Sequence, residues 1–226
     1  IFIKNLQGLG YIPEGVINWI ALMGWSFDDH TELFTMPDLI NKFSLERLNP
    51  SPAAINFAKL DYFNKEHIKT LSAEDLASRM VPFFEEEGYA VTESDLVKVA
   101  PIVKERITTL DDAVGLTKFL FTNDIEYDAT RLRISGLSIN ETILIGNEIV
   151  SEMEKLKDLE AEQTEKIMQA YLDRKQLTAK QVYTFMREAI SGQQVTPPLF
   201  QSMEILGKEK VISRLKNSIR FLQSSI

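Results

Sequence analysis

The sequence predicts an all-α protein. Signatures of helix N-termini recur along the chain, glycines follow the apolar segments, and the polar–apolar alternation of a half-buried strand is nearly absent. Hydrophobic residues make up 44 % of the 226 positions, including 13 Phe, 6 Tyr and 2 Trp, which is enough to bury a substantial core. A mainly disordered chain is therefore excluded, and one large or two modest domains are expected.

Four polar clusters have the spacing of a capping box, in which a Ser or Thr side chain caps a helix and the residue three positions later bonds back. These clusters are Ser72–Asp75, with Asp in place of Glu, Thr92–Asp95, Ser138–Glu141 and Thr178–Gln181. Apolar residues at helical spacing follow each cluster, and after the third they extend from Ile139 to about Leu159. A last helix is predicted from Lys208 onward.

Prolines and glycines indicate further boundaries. Pro13 suits the first position of a helix, and Ser51-Pro52 opens another. Pro82 falls within the helix that begins after Ser72 and is expected to kink or divide it, because proline lacks the amide hydrogen that an internal position needs. Helix ends are expected at or near four glycines, Gly24, Gly88, Gly192 and Gly207.

Composition and missing motifs exclude several kinds of chemistry. The chain has no cysteine, so disulfides, Cys-ligated zinc and thiol catalysis are excluded. It has only two histidines, His30 and His67, and neither a phosphate-binding glycine motif nor a His-Glu-x-x-His motif. We therefore predict no catalytic residue and no metal site in this chain. The net charge of −8 argues against a uniformly basic nucleic-acid-binding protein, although one basic face remains compatible with it.

The sequence also bears on location. No apolar run approaches the roughly 18–20 residues that span a bilayer, so no membrane segment is expected. The first residues lack the charged and apolar regions of a signal peptide, which favours an intracellular protein. Because the chain begins with Ile1 rather than Met, we expect it to be a fragment of a longer protein.

The C-terminal segment concentrates positive charge. Lys208, Lys210 and Arg214 are followed by Lys216 and Arg220, with a single acidic residue among them. Such a helical face can follow a phosphate backbone. Equally, its cations can complement the helix dipole and keep the outer face hydrated. The pattern alone leaves both roles open.

A resemblance to a known family extends over nearly the whole chain. The segment Gly10–Trp25 closely resembles the part of bacterial-type glutamyl-tRNA synthetases that follows their KMSKS-like lysine motif. Further segments match in the same order as far as about Leu215. They are Phe34–Ile40, Phe43–Leu48, Ser51–Asn64, with Asn56 and Tyr62 as departures, Arg106–Leu110, Phe119–Phe121, Thr196–Phe200 and Leu206–Glu209.

This resemblance implies the tRNA-binding half of a class I synthetase without its Rossmann catalytic domain. Neither the HIGH-like nor the KMSKS-like motif is present, so this chain is expected to hold no cofactor, and ATP and Mg²⁺ would belong to the parent enzyme. By analogy with the family, residues 1–70 would form a helical stem-contact domain. Residues 71–122 and 123–226 would form two subdomains of a helical anticodon-binding bundle.

The resemblance also implies a base-reading residue. Arg106 aligns with the arginine that reads the third anticodon base in the family. Glutamate anticodons end in C and glutamine anticodons end in G. An arginine can donate to O2 and N3 of an unstacked cytosine, whereas guanine presents its own N1 and N2 donors. The alternative role is an arginine that caps carbonyl groups at a helix end.

Further anticodon contacts are implied around a second arginine. Arg187 precedes the Thr-Pro element at the family's spacing. Thr196 would offer its hydroxyl and backbone to a base edge, and Pro197 and Leu199 would offer apolar surface to splayed bases. Pro198 stands where many relatives carry Gly. The structural alternative is that the two prolines only provide a rigid start for a helix at Leu199.

The expected partners are tRNA-Glu and a catalytic domain in cis, with no membrane, in a monomer. A cytoplasmic protein is expected, or an organellar one if an import segment precedes the parent's catalytic domain. Strict specificity for glutamate tRNA and dual specificity for glutamate and glutamine tRNAs both stay open. The competing hypothesis is an α-helical protein-interaction module without RNA affinity, which an exposed apolar face at Trp19 and Trp25 would favour.

Overall fold

The computed structural model of the chain describes residues 3–49 and 55–225. Within these ranges the chain forms α-helices and two short 3-10 turns, and its one β-type pairing is an isolated bridge between Trp25 and Leu48. The prediction of an all-α protein is confirmed. No helix in the described part of the chain is both long and apolar enough to cross a membrane.

The chain divides into two compact units, Ile1–Gly115 (unit 1) and Leu116–Ile226 (unit 2), and the division falls within α7. The helices are α1 (Ile3–Gly8), α2 (Pro13–Ala21), α3 (Met36–Lys42), α4 (Phe57–Thr70), α5 (Ala73–Glu86), α6 (Glu93–Val103), α7 (Asp112–Thr117), α8 (Ala129–Leu132), α9 (Ile139–Lys155), α10 (Ala161–Lys175), α11 (Ala179–Ser191), α12 (Leu199–Leu206) and α13 (Lys208–Ser224), and the 3-10 turns are Leu45–Arg47 and Lys118–Leu120. The domain and subdomain boundaries expected after residues 70 and 122 stay predictions.

The helix starts predicted at the four capping clusters coincide with observed ones. Complete capping boxes stand before α6, α9 and α11, and at α5 the Ser72 side chain accepts the amide hydrogen of Asp75. A further capping box, Thr35 with Asp38, begins α3. This box has the same Thr-x-x-Asp spacing but is not among the four predicted clusters.

Pro82 does not divide α5, which contradicts one of the two outcomes expected for it. The helix runs without a break from Ala73 to Glu86. Met80 and Phe84, on either side of the proline, are fully buried, and their packing holds the helix together across the lost hydrogen bond.

Other predicted boundaries agree with the structure or differ only slightly. α2 begins at Pro13, and α5, α11 and α12 end next to or just before the predicted glycines. α9 ends at Lys155, a little earlier than predicted, and α2 ends at Ala21, before Gly24. The predicted start at Ser51-Pro52 lies outside the described residues, and α4 begins at Phe57, with Asn56 as its cap.

Unit 1 is organised around a buried amide, Asn64 of α4. Its Oδ1 accepts the amide hydrogen of Ile12 at 2.8 Å, and its Nδ2 donates to the carbonyl of Thr108 at 2.6 Å. A Cβ on Gly15 would lie 2.7 Å from the Asn64 Cα, so only glycine permits this approach of α2 to α4. One side chain therefore ties the start of α2 and the segment after α6 to α4.

Unit 2 has its own apolar core, to which every helix from α8 to α13 contributes. The core residues that these helices bury include Leu132, Ile149, Met168, Phe185, Met203 and Leu215. This core anchors α11. The loop that leads to α12 leaves from the C-terminal end of this helix.

We predict that Asn64→Ala lowers the free energy of unfolding of unit 1 by about 2–4 kcal/mol, because it leaves a buried amide hydrogen and a partly buried carbonyl unpaired. Both tryptophans of the chain, Trp19 and Trp25, lie in unit 1, so urea unfolding followed by tryptophan fluorescence reports on this unit.

The matched control is Asn41→Ala, at an exposed asparagine of α3 in the same unit. It should shift the fluorescence transition by less than about 0.5 kcal/mol. If Asn64→Ala has an effect as small as this control, the amide does not have the structural role described.

Candidate functional site

Arg106 lies in a turn just after α6 and is exposed, whereas its neighbour Ile107 is fully buried. Among the described residues, no hydrogen-bond or ion-pair partner is found for its side chain. The alternative role of capping carbonyl groups at a helix end is therefore not observed. A solvated guanidinium stands on a backbone that is anchored by the residue beside it.

The segment after Arg106 is held by side chains on both sides. The Asp112 carboxylate accepts the amide hydrogens of Thr108 and Thr109, at 2.8 and 3.0 Å, and the Asn64 amide donates to the Thr108 carbonyl. The amide of Leu110 also donates to the Gly10 carbonyl at 2.9 Å. These bonds fix the backbone that carries Arg106, so its donor groups extend from a rigid base.

The structure brings Arg187 and Thr196 together in unit 2. Arg187, on α11, is half-buried, and its Nε donates to the Thr196 Oγ1 at 2.9 Å. Thr196 is buried, and its hydroxyl donates in turn to the Pro197 carbonyl at 2.9 Å. The family resemblance implied that this hydroxyl faces a base edge. In the structure it instead orients the arginine.

Pro197 and Leu199 differ from the prediction that they offer apolar surface to bases. Both are buried, and Leu199 belongs to the core of unit 2. α12 begins at Leu199, with Pro198 in the capping position. The structural alternative, a rigid helix start, therefore describes these residues, because burying an aliphatic side chain in the core is more favourable than leaving it in water.

The loop between α11 and Thr196 is also constrained. The Ser191 hydroxyl donates to the Arg187 carbonyl at 2.7 Å and accepts the amide hydrogen of Gln193 at 3.0 Å. Gly192 has a positive φ of 66°, and a Cβ there would lie 2.8 Å from the Glu126 carbonyl oxygen. This backbone therefore requires glycine.

Residues 192–195, called here the α11–α12 loop, expose two side chains that sequence analysis missed. Gln194 and Val195 are both exposed. The available signal was an apolar residue in a short polar stretch directly before Thr196, and a single such residue is too common on protein surfaces to be informative alone.

The basic residues at the start of α13 contact carbonyl groups. The ammonium of Lys208 donates to the carbonyls of Glu154, at 3.0 Å, and Leu156, just at the end of α9. Lys210 donates to the Leu120 carbonyl at 3.1 Å, and burial lowers the pKa of its ammonium. Some donors of both lysines thus serve the protein's own carbonyl groups, and phosphate binding by these two residues stays a prediction.

Arg214 departs furthest from its predicted role in tRNA backbone binding. Its side chain is only 3 % exposed, and its guanidinium donates to the carbonyls of Ile190, Phe119 and Thr122 at 2.5, 2.8 and 2.6 Å. Burial lowers the pKa of this guanidinium to about 10. A phosphate cannot reach a group that the core encloses, so Arg214 is a structural residue.

A tyrosine supports the same end of α11. The hydroxyl of Tyr127 lies within hydrogen-bond distance of the Ala189 and Arg214 carbonyls, at 3.3 and 3.1 Å. Burial raises the pKa of Tyr127 to about 12. The last carbonyls of a helix have no partner within that helix, and Tyr127 and Arg214 supply partners for two of them in α11.

Within the described ranges, no three His, Asp or Glu side chains converge in a group that could hold a metal ion. His67 is buried, with its Nε2 at 3.1 Å from the Asn18 Oδ1, and burial lowers the pKa of the imidazole. Trp19 and Trp25 are also buried, so the exposed tryptophan face that would favour a protein-interaction module is not present.

Unit 1 does carry exposed apolar surface elsewhere. A groove of about 870 Å³ is bordered by α1, α2 and α5, and its apolar lining includes Ile3, Val16, Ile20 and Phe83. Its charged lining includes Arg79, which forms a bidentate ion pair with Glu14.

The all-α fold thus presents Arg106 on an anchored turn and Arg187 on a helix. A family model described as the anticodon binding domain matches residues 75–219, which is more than half of the chain. The chain belongs to this family. A second model, described as the catalytic domain of class I tRNA synthetases (E and Q), matches residues 1–62.

Individual relatives agree with this assignment. The chain is 36 % identical over 215 residues to a glutamate–tRNA ligase of Dehalococcoides mccartyi and 33 % identical over 220 residues to one of Borreliella burgdorferi. These alignments cover 93 % and 95 % of this chain, but only 44 % and 45 % of the relatives. The chain therefore spans less than half the length of these relatives.

Solved structures give the same result. The crystal structure of a glutamate tRNA ligase from Elizabethkingia meningosepticum matches with a TM-score of 0.85 at 26 % identity. The match covers 96 % of this chain and 43 % of that one. The helical arrangement found here is thus also found in part of a longer protein.

We predict that Arg214→Met destabilises unit 2 by about 3 kcal/mol or more, because three carbonyl groups lose their donor while the apolar stem is kept. Thermal or urea unfolding followed by circular dichroism measures this loss, and tryptophan fluorescence follows unit 1 separately.

The matched control is Arg220→Met, at an exposed arginine on the same helix. It should change the unfolding free energy by less than about 0.5 kcal/mol. A loss below about 1 kcal/mol for Arg214→Met would mean that the three carbonyls find other partners.

Proposed function

We propose that this chain is the tRNA-recognition part of a glutamate–tRNA ligase and that it reads the glutamate anticodon. The observation that carries the proposal is the anticodon-binding family match over residues 75–219, which contains both Arg106 and Arg187. Each of these arginines stands on a backbone fixed by hydrogen bonds to buried or anchored residues. Rigid presentation reduces the conformational entropy that binding would otherwise cost.

Arg106 reads the third anticodon base in this proposal. Its solvated guanidinium donates to the O2 and N3 acceptors of an unstacked cytosine, and a guanine at that place would oppose it with donors. One such contact is worth roughly 1–3 kcal/mol of discrimination. A strict preference for glutamate over glutamine tRNA follows from it, and dual specificity is the competing outcome.

Arg187 acts in the second unit. Its Nε is held by Thr196, so the plane of the guanidinium is set before RNA arrives. A planar guanidinium both stacks on unpaired bases and donates to their edges. Thr196, Pro197 and Leu199 support this arginine and the loop beside it from within the core.

The net charge of −8 limits the non-specific affinity of this chain for RNA. An acidic chain gains little from non-specific attraction to phosphates, so its affinity depends on a few positioned contacts and weakens as salt is added. Low salt is therefore the condition in which recognition by the chain itself is measured.

We further propose a class I catalytic domain in cis and tRNA-Glu as partners, in a cytoplasmic or organellar monomer. The catalytic-domain match over residues 1–62 and the greater length of the relatives support this arrangement. ATP and Mg²⁺ are assigned to the longer protein. The sequence of this chain has no phosphate-binding glycine motif, so no step of the ligation is assigned to its residues.

We expect the chain to bind glutamate tRNA at least about tenfold more tightly than a transcript whose third anticodon base is changed from C to G, as one contact of about 1.4 kcal/mol predicts. Arg106→Ala should erase this difference. Fluorescence anisotropy at a stated low salt concentration measures both affinities.

Arg220→Ala serves as the control, because it removes an equal charge from an exposed position outside the candidate residues. It should preserve the discrimination. Equal binding of both transcripts by the unaltered chain would identify a binder of the tRNA body and exclude base reading. Absence of binding to either would favour the protein-interaction hypothesis.

A further inference from the structure

Unit 2 buries or partly buries almost all of its large apolar side chains. Among its described residues, only Leu144 and Val195 are both large, apolar and mainly exposed, at 60 % and 69 %. Leu144 lies in the middle of α9, whereas Val195 lies in the α11–α12 loop. An exposed valine is unremarkable on most surfaces, but in this unit it is a rare exception.

Val195 is presented by a constrained backbone. Thr196, which follows Val195, is buried and bonded to Arg187. Gly192, at the start of the loop, lies so close to the Glu126 carbonyl that a Cβ there would be 2.8 Å from its oxygen. Ser191 joins the start of the loop to α11 through the Arg187 carbonyl and the Gln193 amide. The protein thus exposes an apolar side chain next in sequence to the threonine that pairs with the arginine assigned to RNA.

We propose that Val195 is a further RNA-binding residue that packs its two methyl groups against the face of an unpaired base. This inference rests on the proposed function. Every base offers an apolar π-face once it is unstacked, and apolar packing on that face adds affinity without adding charge. A β-branched side chain has few rotamers to lose on binding. Val195 therefore supplies the apolar surface that the buried Pro197 and Leu199 do not offer.

The test compares the 226-residue chain with its Val195→Ala and Leu144→Ala variants. The RNA probe is a glutamate anticodon stem–loop, together with three versions that each lack one anticodon base. Val195→Ala should weaken binding of the intact RNA about five- to tenfold, as expected for two methyl groups removed from an apolar contact. Leu144→Ala, which removes an equally exposed apolar side chain outside the loop, should leave binding unchanged.

The base-deleted RNAs separate a direct contact from a general disturbance. One of them should bind Val195→Ala and the unaltered chain equally, because the partner of the valine is then missing. The dependence of affinity on salt should be the same for both proteins, since no charge is removed. If Val195→Ala weakens all four RNAs by the same factor, the valine supports the fold or the loop and the inference is wrong.

Arg187→Ala distinguishes failure of this inference from failure of the proposed function. If Arg187→Ala weakens binding while Val195→Ala and Leu144→Ala both match the unaltered chain, the valine has no part in recognition but the proposed function stands. If the unaltered chain does not bind the stem–loop even at low salt, the proposed function fails and the inference falls with it.

Discussion

The buried guanidinium of Arg214 is the interaction on which the candidate site of unit 2 depends. It joins α13 to the carbonyl of Ile190 near the end of α11. It also binds the carbonyls of Phe119 and Thr122, in and just after the second 3-10 turn. A helix leaves its last carbonyls without partners, and a cation at that end also suits the helix dipole. Because α11 ends in a defined position, the turn at Gly192 and the pairing of Arg187 with Thr196 are defined as well.

Much of the fold could be predicted because its determinants are local. A capping box needs only a Ser or Thr and a partner three residues later, and three of the four boxes predicted from the sequence form in full. Glycine stops are equally local, since Gly192 has the positive φ that other residues avoid. Pro82 was the exception, because the burial of its neighbours depends on packing that the sequence pattern does not describe.

The candidate site could be predicted only in part, because exposure depends on tertiary structure. Arg106 and Arg214 both lie near other cations in the sequence, yet Arg106 is exposed and Arg214 is only 3 % exposed. The carbonyl groups that an arginine contacts can lie far away in the sequence. Arg214, for example, donates to Phe119, which is 95 residues away. For the same reason the burial of Leu199 and the exposure of Val195 were not evident from their chemistry.

The most direct test of this account is amide chemical-shift mapping of the isotopically labelled chain titrated with an unlabelled glutamate anticodon stem–loop. We expect the largest shifts at the amides of residues 192–196 and around Arg106, with small shifts along the outer face of α13 at Lys216 and Arg220. Shifts concentrated along α13, with residues 192–196 unchanged, would contradict it. Such a result would mean that the chain binds the RNA backbone through its C-terminal helix and does not read bases through the site described.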